Sequence, residues 1–441
     1  MKLPSDVRYC MDALAKAGFQ AYAVGGCVRD AALGLTPHDY DLCTDATPQQ
    51  ICQVFSGHTL VRSGEKHGTI GVVVHHAVYE ITTFRTEGGY TDSRHPDWVA
   101  FVPQVKEDLA RRDFTCNAMA YAPDTGYADP FGGLQDLQAG VLRAVGDPIL
   151  RFTEDPLRIL RGVRFAVRFG LTPTEDTMQA MVQLAPTMDR LSRERVFEEL
   201  CKLLPQVDAA ALTKYAPILT QAIPELSPCL GFAQHNPHHT MDVYGHTAQV
   251  VENLPADLTL RWAALLHDIG KPLTFTRDEA GVGHFYGHAK ESARLADAVL
   301  LRLRASNELR KAVVFLVEHH MDPPCADRKQ LKRKLGKYGV QPLLDLLTLQ
   351  KADGAACAGT VSSVFSQMEE EIAALLEENV CLKISDLAIS GRDLMGLGIP
   401  AGPQLGSILS QLLCLVQEET LPNSPSALLE WANTYWKGNC L

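Results

Sequence analysis

The sequence predicts an α+β chain, predominantly helical, with a small mixed sheet near its amino end. Two observations carry that expectation. Over the first ~140 residues, short β-branched runs (AYAVGG, TIGVVV, VYEITTFR, WVAFVP) alternate with helix-like stretches. From about Asp147 the strand signals fade, and ILRGVRFAVRF, ERVFEELCKLL, LRWAALLHDIG, LRKAVVFLVEHH and LLDLLTLQKADG each carry a 3.6-residue apolar period. A chain of 441 residues exceeds one core. The turn LSPCLGFAQHNPHH, flanked by Pro224 and containing Pro228 and Pro237, marks a boundary. The expected division is a sheet-bearing head over 1–146, a helical neck over 147–230, a His-rich helical domain over 231–360 and a helical tail over 361–441.

Composition narrows the class. With 46% hydrophobic and 21% charged residues the chain reads as a soluble globular protein, and no apolar stretch approaches membrane-spanning length. The amino-terminal MKLPSDVRYCMDALAKAGF has helical spacing and no signal-peptide core. Twelve scattered cysteines without a CxxC pair read as reduced thiols, which makes the cytoplasm the expected location. A net charge of −11 disfavours indiscriminate binding to phosphates, but local basic faces remain compatible with RNA. Arg328, Lys329, Lys332, Arg333, Lys334 and Lys337 crowd one helix, read either as an RNA face or as a solvated basic helix.

Taken along the chain, the first chemical signal is VGGCVRD. Gly25 and Gly26 let backbone approach a phosphate, and Arg29 adds charge. In PHDYDLCTDAT, Asp39 and Asp41 share one face of an extended segment, and two such close anions call for a cation between them. Their hard oxygens suit Mg²⁺ bridging to phosphates, the layout of a nucleotidyl-transfer site. Glu80, in the strand-like VYEITTFR, is either a third carboxylate beside them or a solvated side chain. Arg112 and Asp113, with Asn117 behind, offer a bidentate phosphate or hydroxyl partner and an acid to orient it; a surface ion-pair patch is the plainer reading.

In EDPLRILRGVRF, Asp155 and Arg158 are expected three apart on one helix, with Arg161 continuing the row. An aspartate beside an arginine presents acceptor and donor edges in one plane, an imitation of a pairing base; otherwise the two form a modest surface ion pair. Farther on, His246, the pair His267-Asp268, and Asp353 lie on separate helical segments whose imidazoles and carboxylates can converge on one divalent metal. His288, His319 and His320 either complete that site or touch a substrate phosphate, and His235, His238 and His239 lie in a loop with at most a phosphate contact. In the tail, GLGIPAGPQLGSILSQLL reads as a Gly/Pro loop opening a phosphate-holding helix, or as a helix–helix turn.

VGGCVRD, DYD, RRDFTCNAMAY, DPFGGLQDLQAGVLRAVGDP, EDPLRILRGVRFAVRFG and RLSRERVFEELCKLL occur in this order over roughly the first 205 residues. Together they resemble the class II tRNA nucleotidyltransferase (CCA-adding enzyme) and bacterial poly(A) polymerase family. The resemblance implies a polymerase-β-like head in which Asp39 and Asp41 bind Mg²⁺ and Gly25, Gly26 and Arg29 hold triphosphate. It further implies that Arg112 and Asp113 serve ribose and phosphate, and that Asp155 and Arg158 read the base with support from Arg161 and Arg164. The substrates implied are tRNA, CTP and ATP, with a poly(A) polymerase using ATP alone as the alternative. FRTEGGYTDSRHPDWVAFV corresponds to the loop that CCA-adding members keep, and DPFGG to their hinge. The order His246, His267-Asp268, Asp353 resembles the HD phosphohydrolases, which implies a divalent transition metal there and a phosphatase or phosphodiesterase activity, or a domain that merely grips tRNA.

Overall fold

The computed structural model describes residues 1–88, 98–236, 240–357 and 363–439. It divides into two compact units, Met1–Ser227 with Arg302–Ala305, and Pro228–Leu301 with Ser306–Leu441.

The first unit begins with α1 (Ser5–Lys16), whose Val7, Cys10, Met11 and Leu14 recur at helical spacing and are buried. Then come β1 (Ala21–Val24), α2 (Gly26–Ala32), β2 (Asp41–Thr44), α3 (Pro48–Val54), β3 (Leu60–Val61), β4 (Thr69–Val74) and β5 (Ala77–Thr83). After β6 (Arg85–Gly88), β7 (Trp98–Phe101) and α4 (Val105–Ala110), β8 (Ala120–Ala122) and β9 (Gly126–Ala128) complete a seven-stranded mixed sheet ordered β3-β4-β5-β2-β1-β8-β9. The four predicted runs became β1, β4, β5 running into β6, and β7. The loop expected within FRTEGGYTDSRHPDWVAFV lies between the paired strands β6 and β7, and its residues 89–97 fall outside the described set.

Register decides what meets at one end of the central strands. β1 and β2 are antiparallel with Val24 opposite Asp41, so the Gly25-Gly26 turn leaves β1 beside the start of β2. β2 and β5 are parallel with Leu42 opposite Ile81, which sets Glu80 alongside Asp41.

Helices follow: α5 (Gly133–Gln138), α6 (Pro148–Glu154), α7 (Leu157–Phe169), α8 (Glu175–Leu184), α9 (Arg193–Leu203), α10 (Ala209–Lys214) and α11 (Ala216–Ala222). A two-residue parallel pairing ties Val141–Leu142 (β10) to Thr172–Pro173 (β11). Gly162 of α7 is required by packing, since a Cβ there would lie 2.9 Å from Phe114 Cζ.

The second unit contains α12 (Val243–Asn253), α13 (Leu258–Leu266), α14 (Lys271–Thr274), the hairpin β12 (Thr276–Arg277) and β13 (Gly283–His284), α15 (His288–Arg302), α16 (Asn307–His319), α17 (Arg328–Tyr338) and α18 (Val340–Ala356). It ends with α19 (Val364–Glu377), α20 (Gly391–Gly396), α21 (Pro403–Gln417) and α22 (Pro425–Asn439). The Gly/Pro stretch of the tail is the connection from α20 to α21, and α21 buries Ile408, Leu409 and Leu412. Among the described residues no helix is long and apolar enough to cross a membrane.

The basic run is partly tied up by acids of the same chain, while Lys329 and Lys337 are exposed. On α17, Arg328 pairs with Glu371 (2.5 Å), Glu378 and Glu419 (3.2 Å), Lys332 with Glu419 (2.6 Å) and Arg333 with Glu418 (2.6 Å). Half of its cations bind the acidic tail of the same chain.

Candidate active site and metal centre

At one end of the central strands β1 and β2 lies a cavity of about 390 Å³, lined by Gly25, Gly26, Arg29, Asp41, Arg111, Arg112, Asp113, Asn117, Asp155, Leu157, Arg158, Arg161 and Arg195. Every wall is built by a local rule. Gly25 has φ +75°, and a Cβ there would lie 2.7 Å from Arg112 Nη1, so the backbone and this guanidinium approach as only glycine permits. The Gly25 N–H donates to the Met119 carbonyl at 3.1 Å, so the residue serves close approach and not through its own amide. Arg29 donates to Asp30 Oδ1 (2.6 Å) and Asn117 Oδ1 (2.6 Å) and sits over the Phe169 ring at 4.3 Å.

Asp113 is buried. Its Oδ1 accepts from the Phe114 N–H and Asn117 Nδ2, both at 2.9 Å, and its Oδ2 accepts from Arg161 Nε (2.9 Å) and Nη2 (2.7 Å). Burial alone would raise this carboxyl, but Arg161 and Asn117 outweigh it and hold the group down at about 2. With its acceptors occupied, Asp113 fixes Arg161 and Asn117 in place instead of receiving a ligand hydroxyl.

The base-reading pair is arranged differently from the expectation. Asp155 is not on a helix with Arg158: α6 ends before it, with φ −142° and ψ 99°, and Pro156 precedes the start of α7. Its carboxylate takes Arg195 Nη2 at 2.8 Å, and Arg158 donates instead to Glu154 (2.6 Å) and to the Arg151 and Arg111 carbonyls, each at 3.0 Å. Both side chains still face the same cavity, with Arg161 one turn along α7. Arg164 stands behind the wall, paired with Glu199 at 2.6 Å and stacked on Phe165 at 4.4 Å. Phe165 also lies beneath Arg29 and Arg161, at 5.2 and 5.1 Å. Reading the sequence missed Arg195 and Phe165; the arginine-aromatic spacing of RGVRFAVRF was the available signal for the latter.

A second cleft of about 710 Å³ adjoins, lined by Asp39, Tyr40, Asp41, Tyr79 and Glu80 among others. Asp41 therefore lines both spaces. Desolvation pushes its carboxyl above the ordinary range, Arg112 opposes this, and the like charge of Asp39 adds to it. Asp41, with the like charge of Asp39 acting on it, offers hard oxygen donors of the kind whose repulsion a divalent cation relieves, so these residues fit one.

In the second unit, His246 Nε2 lies 2.9 Å from Asp353 Oδ1 and 3.6 Å from Asp268 Oδ2, and His267 Nε2 lies 3.2 Å from Asp268 Oδ2. His288 Nε2 is 3.4 Å from Asp268 Oδ1 and 3.2 Å from His320 Nε2. The Nδ1 atoms of His267, His288 and His320 each lie 2.7 Å from the backbone carbonyl three residues earlier, so Nδ1 carries the proton and Nε2 turns its lone pair inward. Burial, the largest cause, lowers His320 to about 4 and favours its neutral form. Ligand atoms of His246, His267 and Asp268, and again of Asp268, His288 and His320, lie within 4.8 Å of one another, which fits a metal. His319 stands apart, its Nδ1 2.9 Å from Asp322 Oδ2 and its ring against Phe315 and Tyr338. Lys271, missed in the sequence although it lies three residues past Asp268, brings Nζ to 2.7 Å from Asp268 Oδ2. His235 packs near Phe275, while His238 and His239 are outside the described residues.

Comparison with known proteins gives three domain matches: "Poly A polymerase head domain" over residues 21–143, "Probable RNA and SrmB- binding site of polymerase A" over 170–227, and "HD domain" over 238–356. The chain is 33% identical over 431 residues to the CCA-adding enzyme of Leuconostoc mesenteroides, covering 98% of this chain and 96% of that one. It is 34% identical over 423 residues to the CCA-adding enzyme of Levilactobacillus brevis, covering 96% of each. Among solved structures, the Bacillus stearothermophilus CCA-adding enzyme in complex with CTP superposes with a TM-score of 0.72 at 27% identity over the full length of both chains. The Thermotoga maritima CCA-adding enzyme complexed with tRNA shares the fold, with a TM-score of 0.61 at 20% identity over 98% of this chain and 96% of that one.

Proposed function

This chain belongs to the family of CCA-adding enzymes, and on that premise we propose how its residues divide the work of adding C, C and A to tRNA 3′ ends from CTP and ATP. One observation carries the reading: Asp41 lines both the arginine-walled cavity and the neighbouring cleft that holds Asp39 and Glu80. A transfer between two substrates needs one reacting centre between two binding spaces.

The nucleotide occupies the first cavity. Arg112, close to the Gly25 backbone, faces its phosphates, with Arg29 and Gly26 beside it. Asp155 and Arg158 present acceptor and donor edges to the base, and Arg161, braced by Asp113, keeps that wall rigid. The RNA 3′-hydroxyl enters from the cleft, its oxygen bonds to the α-phosphorus, and the bond to the pyrophosphate oxygen breaks in line. Asp39 and Asp41, with Glu80 as a third carboxylate, would hold magnesium. Such an ion, when bound, neutralises developing phosphate charge and favours the attacking alkoxide. Selecting bases by side chains explains why no nucleic-acid template is needed. A tRNA lacking its last three nucleotides, given each NTP singly, tests this: CTP alone should add two residues, ATP alone none. Long tails from ATP alone would indicate a poly(A) polymerase.

A second activity is favoured by the His/Asp cluster: a metal-dependent phosphohydrolase that uses a divalent transition metal on His246, His267, Asp268 and Asp353, suited to imidazole donors. His267→Ala should abolish phosphoester hydrolysis and leave nucleotide addition intact, and Asp41→Ala should do the reverse. Joint loss in either variant would contradict two separate sites. The four-part division of the chain and a reducing, cytoplasmic setting follow the same reading; the eleven described cysteines are free thiols.

A further inference from the structure

We propose that α16, α17 and the start of α18 form a further binding site, one that takes a nucleoside phosphate. Where these helices meet lies a cavity of about 330 Å³, at the small end of the sizes that hold a ligand. Its lining shares no residue with the cavities of the head or of the His/Asp cluster, so it depends on the chemistry of neither.

The walls follow from local geometry. Lys311 and Phe315 are four apart on α16 and share a face, with His319 one turn farther. The helix α17 ends at Tyr338, where Gly339 (φ +89°) turns the chain into α18, and Pro342 and Asp345 follow three apart. The rings of Phe315, His319 and Tyr338 close on one another, with centroids 4.8, 4.9 and 5.1 Å apart. This gives a place to His319, which stands outside the metal cluster. Its Nδ1, 2.9 Å from Asp322 Oδ2, anchors the ring behind the two aromatic residues that line the cavity.

Charge marks the opening. Lys311 and Lys337 line the cavity and are exposed, and among the described residues neither pairs with a carboxylate. Lys337 Nζ lies 4.7 Å from the Tyr338 centroid and donates to its hydroxyl at 3.1 Å, which keeps charge and ring together. On the same helix Arg328, Lys332 and Arg333 are all paired with acids, in a chain of net charge −11. Two cations left open beside aromatic rings therefore point to an anion that a ligand brings. Asp345 Oδ1 accepts from Gln341 Nε2 at 2.7 Å, which leaves Oδ2 for a sugar hydroxyl or an amino group. Rings suit a flat heterocycle and ammonium groups suit a phosphate. An apolar segment would leave the lysines unused, and inorganic phosphate would leave the rings unused. The nucleoside phosphate is either a free nucleotide or an unpaired residue of an RNA strand.

Photolabelling the full chain with 8-azidoadenosine 5′-monophosphate, followed by peptide mapping, tests the site. Label is expected within residues 311–345, alongside label in the head, which shows that the probe reacts. Unlabelled AMP should displace it, and adenosine or inorganic phosphate at the same concentration should not. Displacement from this segment by tRNA would make an unpaired RNA nucleotide the occupant; retention in the presence of tRNA would make it a free nucleotide. Tyr338→Ala should weaken labelling there about tenfold, Tyr338→Phe should retain it, and head labelling should not change in either. Lys337→Gln, on an exposed position, should erase the advantage of AMP over adenosine. Head label with none on 311–345 overturns the site and leaves the nucleotidyl-transfer reading standing. Displacement by adenosine as effective as by AMP overturns it too. The map of the parent protein requires no variant to fold.

Discussion

Asp113 shows how one residue's environment assigns its role. From the sequence it was a candidate partner for a ribose or a phosphate, yet its oxygens are consumed by Phe114, Asn117 and Arg161. Its carboxyl is held at about 2 against an ordinary 3.8. A folded value below the unfolded one contributes stability above about pH 4, and that contribution disappears as pH falls through 2. Asp113→Asn should therefore cost the first unit about 2 kcal/mol at neutral pH. The gap to the parent protein should shrink between pH 4 and 2 in denaturant titrations; a pH-independent difference would contradict the assignment. The types of the site residues were legible because phosphate and metal chemistry demands arginines, paired acids and histidines. Their partners were not, since Asp155 meets Arg195 across forty residues and no local spacing encodes that contact.

Secondary elements were legible where period and length agree. Strands β1, β4 and β5 and the helix α7 announce themselves by alternation or amphipathicity, whereas two- and three-residue strands such as β3 and β8 are too short to show either. The break between α6 and α7 was hidden because an Asp-Pro step inside an otherwise helical pattern reads as a helix start as easily as a stop. For the basic helix α17, composition revealed the charge and hid the acidic partners that lie some forty to ninety residues ahead. Packing gives this element a sharp test. A Cβ on Gly336 would lie 2.3 Å from the Leu382 carbonyl oxygen, while one on Gly406 of α21 meets open space. Gly336→Ala should destabilise the second unit by about 2 kcal/mol through overpacking. Gly406→Ala should stabilise it by up to about 1 kcal/mol through helix propensity. Equal effects in thermal melts would contradict the packing.

For the whole molecule, the ordering of motifs along the chain gave the enzyme family, because a single D-x-D or His-Asp pair is common and six ordered motifs are not. What the sequence could not supply was the sheet register that sets Gly25, Asp41 and Glu80 side by side on the central strands, since it arises from non-local pairing of β1, β2 and β5. That arrangement supports the central claim, that Asp39 and Asp41 hold a cation against the α-phosphate of the nucleotide. It predicts a specific response to sulfur. Single-turnover addition to tRNA should be slowed at least tenfold by one of the two diastereomers of CTP bearing sulfur on the α-phosphorus when Mg²⁺ is the metal. Replacing Mg²⁺ with the softer Mn²⁺ should restore most of the rate. An identical slowing with both metals, for both diastereomers, would mean that no ion held by these carboxylates touches the reacting phosphate.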